Sequence, residues 1–205
     1  MKKTVVSTLI GAAVLAASSA ASAYEAGDII VRAGVASVQP DESMEAGSTL
    51  DTLNAGLDND EQLGITAAYM LTSNIGVELL AATPFSHDIP LPGANTVAET
   101  KHLPPTLSLQ YYPMDAKSAL QPYVGVGVNY TTFFSEESTL GDLKLDDSWG
   151  LAAQVGVDYA INENMVLNAA MWYIDIDSDA SLNGADIGTV QIDPMVYMLG
   201  VGYKF

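Results

Sequence analysis

The side chains of this 205-residue chain that could do chemistry are 25 carboxylates and two histidines, His87 and His102, because the chain contains no cysteine. Ser86, His87 and Asp88 have the side-chain types of a hydrolytic triad. Adjacent residues project in diverging directions, however, and cannot pass a proton along such a triplet. We therefore expect no catalytic residue, no enzymatic activity and no cofactor.

A second arrangement with chemical potential is the alternation of Asp175, Asp177 and Asp179, because some Ca²⁺ sites space their carboxylates in this way. The next residue is Ala180, whereas an EF-hand loop requires glycine for its turn. We predict no metal site. Acidic residues elsewhere in the loops would attract Ca²⁺ or Mg²⁺ shared with lipopolysaccharide phosphates, but a solvated exterior is the simpler interpretation.

The elements that must position these groups are strands. Several segments alternate apolar with small or polar side chains over about 9 to 11 residues, the pattern of strands that cross a membrane as a barrel. In the last segment Tyr197, Leu199 and Val201 alternate with Met198 and Gly200. The predicted strands cover residues 27–37, 62–71, 75–84, 104–113, 121–133, 147–160, 165–177 and 191–205.

The lengths of the connections predict the fold class. Three connections are short, and four are long: residues 38–61, 85–103, 134–146 and 178–190. Outer-membrane barrels have short periplasmic turns and long extracellular loops. We predict an all-β, eight-stranded antiparallel transmembrane β-barrel with both termini at the periplasmic end. The alternative, a soluble β-sandwich, would have polar outer faces where this chain carries Leu, Val and Tyr.

The first 23 residues have the pattern of a secretory leader. Lys2 and Lys3 precede an apolar stretch, and Ala21-Ser22-Ala23 suits a signal peptidase. The apolar stretch is shorter than the roughly 18 to 20 residues of a membrane helix. We expect cleavage after Ala23, which leaves residues 24–205 as one barrel domain with five basic and 25 acidic residues. So acidic a domain is not expected to bind nucleic acid.

Alternation along the strands divides the inward-facing residues into two levels. Near the short turns, opposite charges would pair across a narrow interior and close the lower barrel. This group comprises Arg32, Glu78, Asp158 and Lys204. Higher up, apolar side chains would form a ligand-binding chamber. This second group comprises Leu80, Ala82, Ala152, Trp172, Val196 and Met198.

Three features of the wall have two interpretations each. Inward glycines either leave space for a ligand or let a tight barrel bend. Trp172 belongs either to the lumen, which its alternation favours, or to the aromatic girdle, where we place Trp149. Pro84, Pro104 and Pro105 lack the N–H that a ladder needs. They either end strands at a loop or form a weak lateral seam between the third and fourth strands.

Motifs along the mature chain resemble those of the OmpW family of outer-membrane proteins. The order and spacing of these segments carry the resemblance: 24–27 (YEAG), 31–34 (VRAG), 74–85 (NIGVELLAATPF), 102–107 (HLPPTL), 122–134 (PYVGVGVNYTTFF), 147–150 (DSWG), 154–159 (QVGVDY), 172–177 (WYIDID) and 202–205 (GYKF). The resemblance implies an eight-stranded barrel with a hydrophobic lumen that takes part in uptake of small hydrophobic compounds. The loops depart most from the family pattern.

We therefore expect an integral outer-membrane channel of a Gram-negative cell. An apolar solute would enter between the loops, bind near Leu80 and Trp172, and leave sideways into the bilayer. The alternative is a closed barrel that acts in envelope structure, adhesion or reception, whereas an aqueous pore would need polar walls and usually more strands. Expected partners are outer-membrane lipid, lipopolysaccharide and the barrel assembly machinery, which would recognise Tyr203 and Phe205.

Overall fold

The computed structural model describes residues 24–41, 43–44, 60–89, 98–138 and 142–205. The predicted leader, with its cleavage after Ala23, lies outside the described residues. The side chains of Ser86, His87 and Asp88 are also outside what the structure describes.

Fourteen strands form among these residues. Eight of them build the barrel: β1 (Ile29–Gln39), β3 (Asp60–Met70), β4 (Ile75–Ala82), β7 (Thr106–Tyr111), β8 (Leu120–Ser138), β10 (Ser148–Ala160), β11 (Met165–Ile174) and β14 (Met195–Lys204). Six further strands lie in the connections: β2 (Ser43–Met44), β5 (Phe85–Ile89), β6 (Ala98–Leu103), β9 (Leu143–Leu145), β12 (Asp177–Leu182) and β13 (Ala185–Gln191). No helix in the described ranges has the length and apolar character needed to cross a membrane.

The eight long strands form one closed antiparallel sheet. Their order is β10, β11, β14, β1, β3, β4, β7 and β8, and β8 pairs again with β10. The register places Gly34 of β1 opposite Gly200 of β14 on one side and Gly64 of β3 on the other. Because β8 pairs with β10, no barrel strand is left as a free edge strand, which a sheet in lipid requires. The prediction of an eight-stranded antiparallel barrel is confirmed.

Side chains alternate between an exposed apolar outer surface and a buried interior. Val126, Leu151 and Leu199 are each about two-thirds exposed, which suits contact with lipid rather than water. Trp149 is 74% exposed and its ring lies 4.8 Å from that of Tyr130. With the exposed Tyr173, these rings form an aromatic belt near the ends of the strands that lead into long loops.

Both ends of the described chain lie at the end of the barrel that carries the short turns. The backbone N–H of Gly27 donates to Met70 at the end of β3 (2.8 Å), and the N–H of Lys204 donates to Asn164 in the turn before β11 (2.7 Å). Short turns and termini occupy the periplasmic side of outer-membrane barrels. The long connections all leave from the opposite end, as the lengths predict.

The long connections contain strands that the alternation pattern did not predict. β2, β13, β12 and β9 form a separate four-stranded antiparallel sheet, and the β5–β6 hairpin pairs with the outer part of β8. The two neighbouring strands β12 and β13 are mostly polar, with few apolar residues alternating along them. Apolar alternation therefore could not reveal them, and backbone pairing alone defines them.

The predicted strand 191–205 begins later in the structure, at Met195. Asp193 adopts a left-handed backbone conformation with φ of 36°, and Pro194 supplies no N–H to a ladder. The chain therefore turns before β14 instead of continuing from β13.

Candidate functional site

Three charged side chains pair inside the lower barrel. The Arg32 guanidinium donates to Glu78 through Nη1 (2.8 Å) and to Asp158 through Nε (3.0 Å) and Nη2 (2.5 Å). All three side chains are at most 1% exposed. Two-point contact of a guanidinium with a carboxylate fixes orientation and strengthens the pair. We call Arg32, Glu78 and Asp158 the charge cluster.

The charge cluster crosses the lumen. Its members belong to β1, β4 and β10, and no two of these strands are neighbours in the barrel. Arg32 therefore connects opposite walls rather than residues along one wall. The contacts that join the walls leave these three side chains without access to solvent.

Lys204, predicted as a fourth member of this group, has a different partner. Its Nζ lies 3.7 Å from Asp28, and the two side chains are 15% and 20% exposed. Asp28 precedes β1, so this ion pair lies at the periplasmic rim. The alternation correctly predicted a charged residue near the short turns. Lys204 lies one residue from the C-terminus, however, and is too close to the periplasmic rim to reach Arg32.

A layer of three tyrosines lies beside the charge cluster, and the sequence patterns did not reveal it. We call Tyr24, Tyr112 and Tyr123 the tyrosine layer; their ring centroids are 5.2 Å apart for the first pair and 5.1 Å for the second. The Tyr24 hydroxyl donates to Asp158 (2.6 Å), and the Tyr112 hydroxyl accepts from Arg32 (3.1 Å). Tyr24 precedes the first strand, where alternation makes no prediction, whereas Tyr112 and Tyr123 lie within the predicted strands 104–113 and 121–133 and were not singled out.

The apolar residues predicted for the upper chamber do lie inside the barrel, packed against one another. Trp172 is 1% exposed, and its Nε1 donates to Oε1 of Gln154 (2.6 Å). The side-chain amide of Gln154 in turn donates to Glu78 (3.2 Å). The remaining members are buried, apart from the half-buried Ala82: Leu80, Ala152, Val196 and Met198. They belong to one buried apolar cluster inside the barrel.

One side of the upper lumen is polar, which corrects the expectation of an apolar chamber. Thr106, Asn129 and Thr131 are each 0% exposed. Asn129 donates to Thr106 Oγ1 (3.0 Å) and to the Pro105 carbonyl (3.2 Å), and it accepts from the Thr131 hydroxyl (2.7 Å). The wall is therefore apolar along β11 and β14 and polar along β7 and β8.

The inward glycines let the barrel pack tightly instead of leaving open space. A Cβ atom on Gly34 would overlap the carbonyl oxygen of Leu199, because β1 and β14 approach closely there. A Cβ atom on Gly156 would overlap the ring of Tyr123, which occupies that space. At both positions the space beside the glycine is already occupied, so these glycines do not leave room for a ligand.

The wall is interrupted between β4 and β7. Their ladder ends at the pair Leu80–Thr106, and pairing resumes only between β5 and β6. Among the described residues, no ladder pair joins the segments between these points. We call these two segments, residues 81–84 and 103–105, the lateral seam.

Backbone groups on the two sides of the lateral seam bond away from each other. The Thr83 N–H donates to the Leu63 carbonyl of β3 (3.1 Å), while the Pro105 carbonyl accepts from the Tyr130 N–H of β8 (3.1 Å). The three predicted prolines all lie in the seam. Because proline cannot donate, each side satisfies its backbone with its other neighbour.

The buried histidine lies near the outer end of the lateral seam. His102 is 1% exposed, and its ring lies 5.8 Å from that of Phe133 in the outer lumen.

A group of carboxylates that could hold a cation lies at the loop end. Oxygens of Asp175, Asp177 and Asp193 come within 4.8 Å of one another. Such hard oxygen ligands suit Ca²⁺, although exposed carboxylates often cluster without an ion. Asp179, the third residue of the predicted alternation, instead accepts from the Thr189 hydroxyl (2.7 Å).

Comparisons with known proteins agree with this architecture. A sequence model of the OmpW family matches residues 25–205. Outer membrane protein W of Escherichia coli strain K12 is 49% identical over the whole of both chains. Outer membrane protein AlkL of Ectopseudomonas oleovorans is 32% identical over 78% of this chain and 72% of its own. The crystal structure of outer membrane protein OprG from Pseudomonas aeruginosa superposes with a TM-score of 0.79 at 44% identity, covering 90% of this chain and 98% of that one.

Proposed function

Because the chain belongs to the OmpW family of outer-membrane barrels, we propose that it takes up small apolar molecules through its lumen and releases them sideways into the bilayer. The observation that carries this proposal is that the apolar part of the lumen lies next to the lateral seam. Leu80, in the apolar part of the lumen, forms the last ladder pair before the lateral seam. A molecule held against Leu80 would therefore lie next to the interruption in the wall.

The route has two physical requirements. Side chains that pack around Trp172 must move to admit a ligand, and the indole Nε1 must give up its hydrogen bond to Gln154. Below them, the charge cluster joins opposite walls and would stop an apolar ligand, because a ligand without polar groups cannot replace its buried hydrogen bonds. A ligand at this depth is then left with the lateral seam as its exit.

Tryptophan fluorescence tests the binding step, since the chain has only two tryptophans. We expect 1-bromooctane, an apolar quencher, to quench Trp172 saturably in the Trp149→Phe variant refolded in vesicles. The Trp172→Phe variant retains Trp149, which is 74% exposed on the outer surface, and should show only the non-saturating quenching that follows partition into lipid. If only the Trp172→Phe variant showed saturable quenching, the binding site would lie outside the lumen.

Transport is measured in vesicles whose outer leaflet contains lipopolysaccharide, which slows unaided entry of apolar molecules. The proposal requires faster entry of the probe with the wild-type barrel than without protein. A closed barrel that serves envelope structure or adhesion is the second candidate, and the tight packing around Trp172 favours it. A closed barrel is expected to show neither saturable quenching of Trp172 nor faster entry of the probe.

We also propose that the C-terminal aromatic residues are recognised by the barrel assembly machinery. Phe205 is 70% exposed, and its ring lies 4.7 Å from that of Tyr203. Deleting Phe205 is expected to remove most of the folded, heat-modifiable barrel from cell outer membranes. The same variant should refold in detergent as the wild type does, because the exposed ring adds little to the core.

The control for this deletion is Phe205→Tyr, which keeps an aromatic C-terminus and should assemble normally. A normal yield of folded barrel without Phe205 would contradict a recognition role. Lipid and lipopolysaccharide are the proposed partners of the exposed aromatic belt at the other end of the barrel, where Trp149 lies.

A further inference from the structure

The segment before β1 places a side chain inside the barrel from below. Residues 24–28 are held to the end of β3, because Gly27 donates to the Met70 carbonyl (2.8 Å) and Met70 donates to the Asp28 carbonyl (2.9 Å). Gly27 has φ of +99°, a conformation that glycine adopts readily and that turns the chain beneath the mouth. Tyr24, although it precedes the first strand, is consequently only 1% exposed.

Tyr24 is in contact with the charge cluster and with the tyrosine layer. Its hydroxyl donates to Asp158 Oδ2 (2.6 Å), and its ring meets that of Tyr112 edge to face. Asp158 also accepts from Arg32 and Asn168. Tyr24 thus supplies a donor to the carboxylate from the periplasmic side.

The net charge of the charge cluster indicates why the contact with Tyr24 matters for water and ions. One guanidinium faces two carboxylates, so water that entered would meet excess negative potential. A narrow passage with carboxylates in its wall favours cations. Burial, and next the charge of Asp158, raise the pKa of the Tyr24 phenol well above its usual value, so the phenol keeps the proton that it donates.

We propose that Tyr24 acts as a stopper that makes the periplasmic end of the barrel impermeable to water and ions. This role goes beyond uptake of apolar molecules and holds whether the lumen admits them or not. Its chemistry is specific: an aromatic ring fills the mouth, and a hydroxyl completes the hydrogen bonding of a buried carboxylate. The stopper belongs to the chain itself and needs no partner.

Potassium flux through barrels reconstituted in vesicles tests the proposal. The Tyr24→Ala variant is expected to raise K⁺ leakage about tenfold or more over the wild type, with cations preferred over chloride, because a polar constriction loses its aromatic filling. Tyr24→Phe keeps the ring and should leak much less than Tyr24→Ala. The matched control is Tyr111→Ala, which removes the same ring from a lipid-facing position that is 53% exposed, and which should not leak.

Folding of each variant is checked by heat-modifiable mobility before flux is measured. Folded Tyr24→Ala barrels that leak no more than Tyr111→Ala barrels would overturn the proposal, as would a leak that prefers anions. If Tyr24→Ala does not fold, Tyr24→Leu serves instead: it partly fills the mouth without a hydroxyl, so an ion-tight, folded Leu variant also overturns it. Saturable quenching of Trp172 by 1-bromooctane is expected to be unchanged in the leaking variant, which separates this test from that of uptake.

Discussion

Replacing Arg32 with methionine is expected to lower the free energy of unfolding of the barrel by about 3 to 5 kcal/mol, the cost of removing one partner from a fully buried ion pair. The variant leaves Glu78 and Asp158 in the lumen without a counter-charge, and both side chains are at most 1% exposed. Urea titration of barrels in detergent micelles, followed by heat-modifiable mobility, measures the change. A loss below about 1 kcal/mol would contradict the central role of Arg32, since an exposed pair is worth that much.

Two further variants separate charge from packing. Lys204→Met removes a cation from the looser, partly exposed pair with Asp28, and its cost is expected to be about 1 kcal/mol or less. Adding Glu78→Gln and Asp158→Asn to Arg32→Met removes the unbalanced charges. This triple variant should recover part of the lost stability, because a neutral buried set avoids the cost of unpaired ions.

A disulfide across the lateral seam is expected to reduce apolar uptake to the level of protein-free vesicles. The chain has no cysteine, so Thr83→Cys with Leu103→Cys creates one defined pair and keeps all three prolines. Residues 83 and 103 lie on the two sides of the lateral seam, between the pairs Leu80–Thr106 and Phe85–His102. Because a disulfide forms only where the Cα atoms come within about 7 Å, its formation is verified by electrophoretic mobility with and without reductant before uptake is measured. Probe entry into the vesicles is compared between the oxidised and reduced forms of the same preparation.

The matched control places the disulfide where the wall is already continuous. Val77 and Leu109 are ladder partners in β4 and β7, so Val77→Cys with Leu109→Cys should leave uptake unchanged after oxidation. Equal uptake by the oxidised and reduced seam variants would exclude the lateral route. Saturable quenching of Trp172 should persist in the oxidised seam variant, since the disulfide blocks exit rather than binding.

Strand positions could be predicted where one face meets lipid and the other meets the lumen. β10 differs from its predicted range by one residue, because Trp149 to Tyr159 alternate without a break. The strands of the four-stranded outer sheet were missed, since neither face of β12 or β13 is consistently apolar. The buried face of β12 carries Ser178 and Ala180 instead of large apolar residues, so an apolar alternation with period two has no signal there.

The candidate site was predictable in its residue types and less so in its arrangement. Arg32, Glu78 and Asp158 were identified because buried charges require partners and because alternation placed them inward. Lys204 was assigned to the same group on the same grounds, inward alternation and closeness to the short turns, but the structure pairs it with Asp28. Tyr24 was missed because it precedes the first strand, where side-chain direction follows from the turn and not from the period of the strand. Tyr112 lies within the predicted strand 104–113, but nothing in the pattern marked it as a partner of Arg32.

By itself, the amino-acid sequence determined the number of barrel strands, the direction of most side chains on them and the end of the barrel at which the long loops lie. These properties are local, since the period of a strand is two and turn length is read directly along the chain. Only the tertiary structure decided which inward residues meet. Glu78 and Asp158 lie 46 and 126 residues from Arg32, and their contact depends on register and closure around the whole barrel. For the same reason the tight packing around the glycines, the polar side of the lumen and the insertion of Tyr24 became visible only once the barrel had closed.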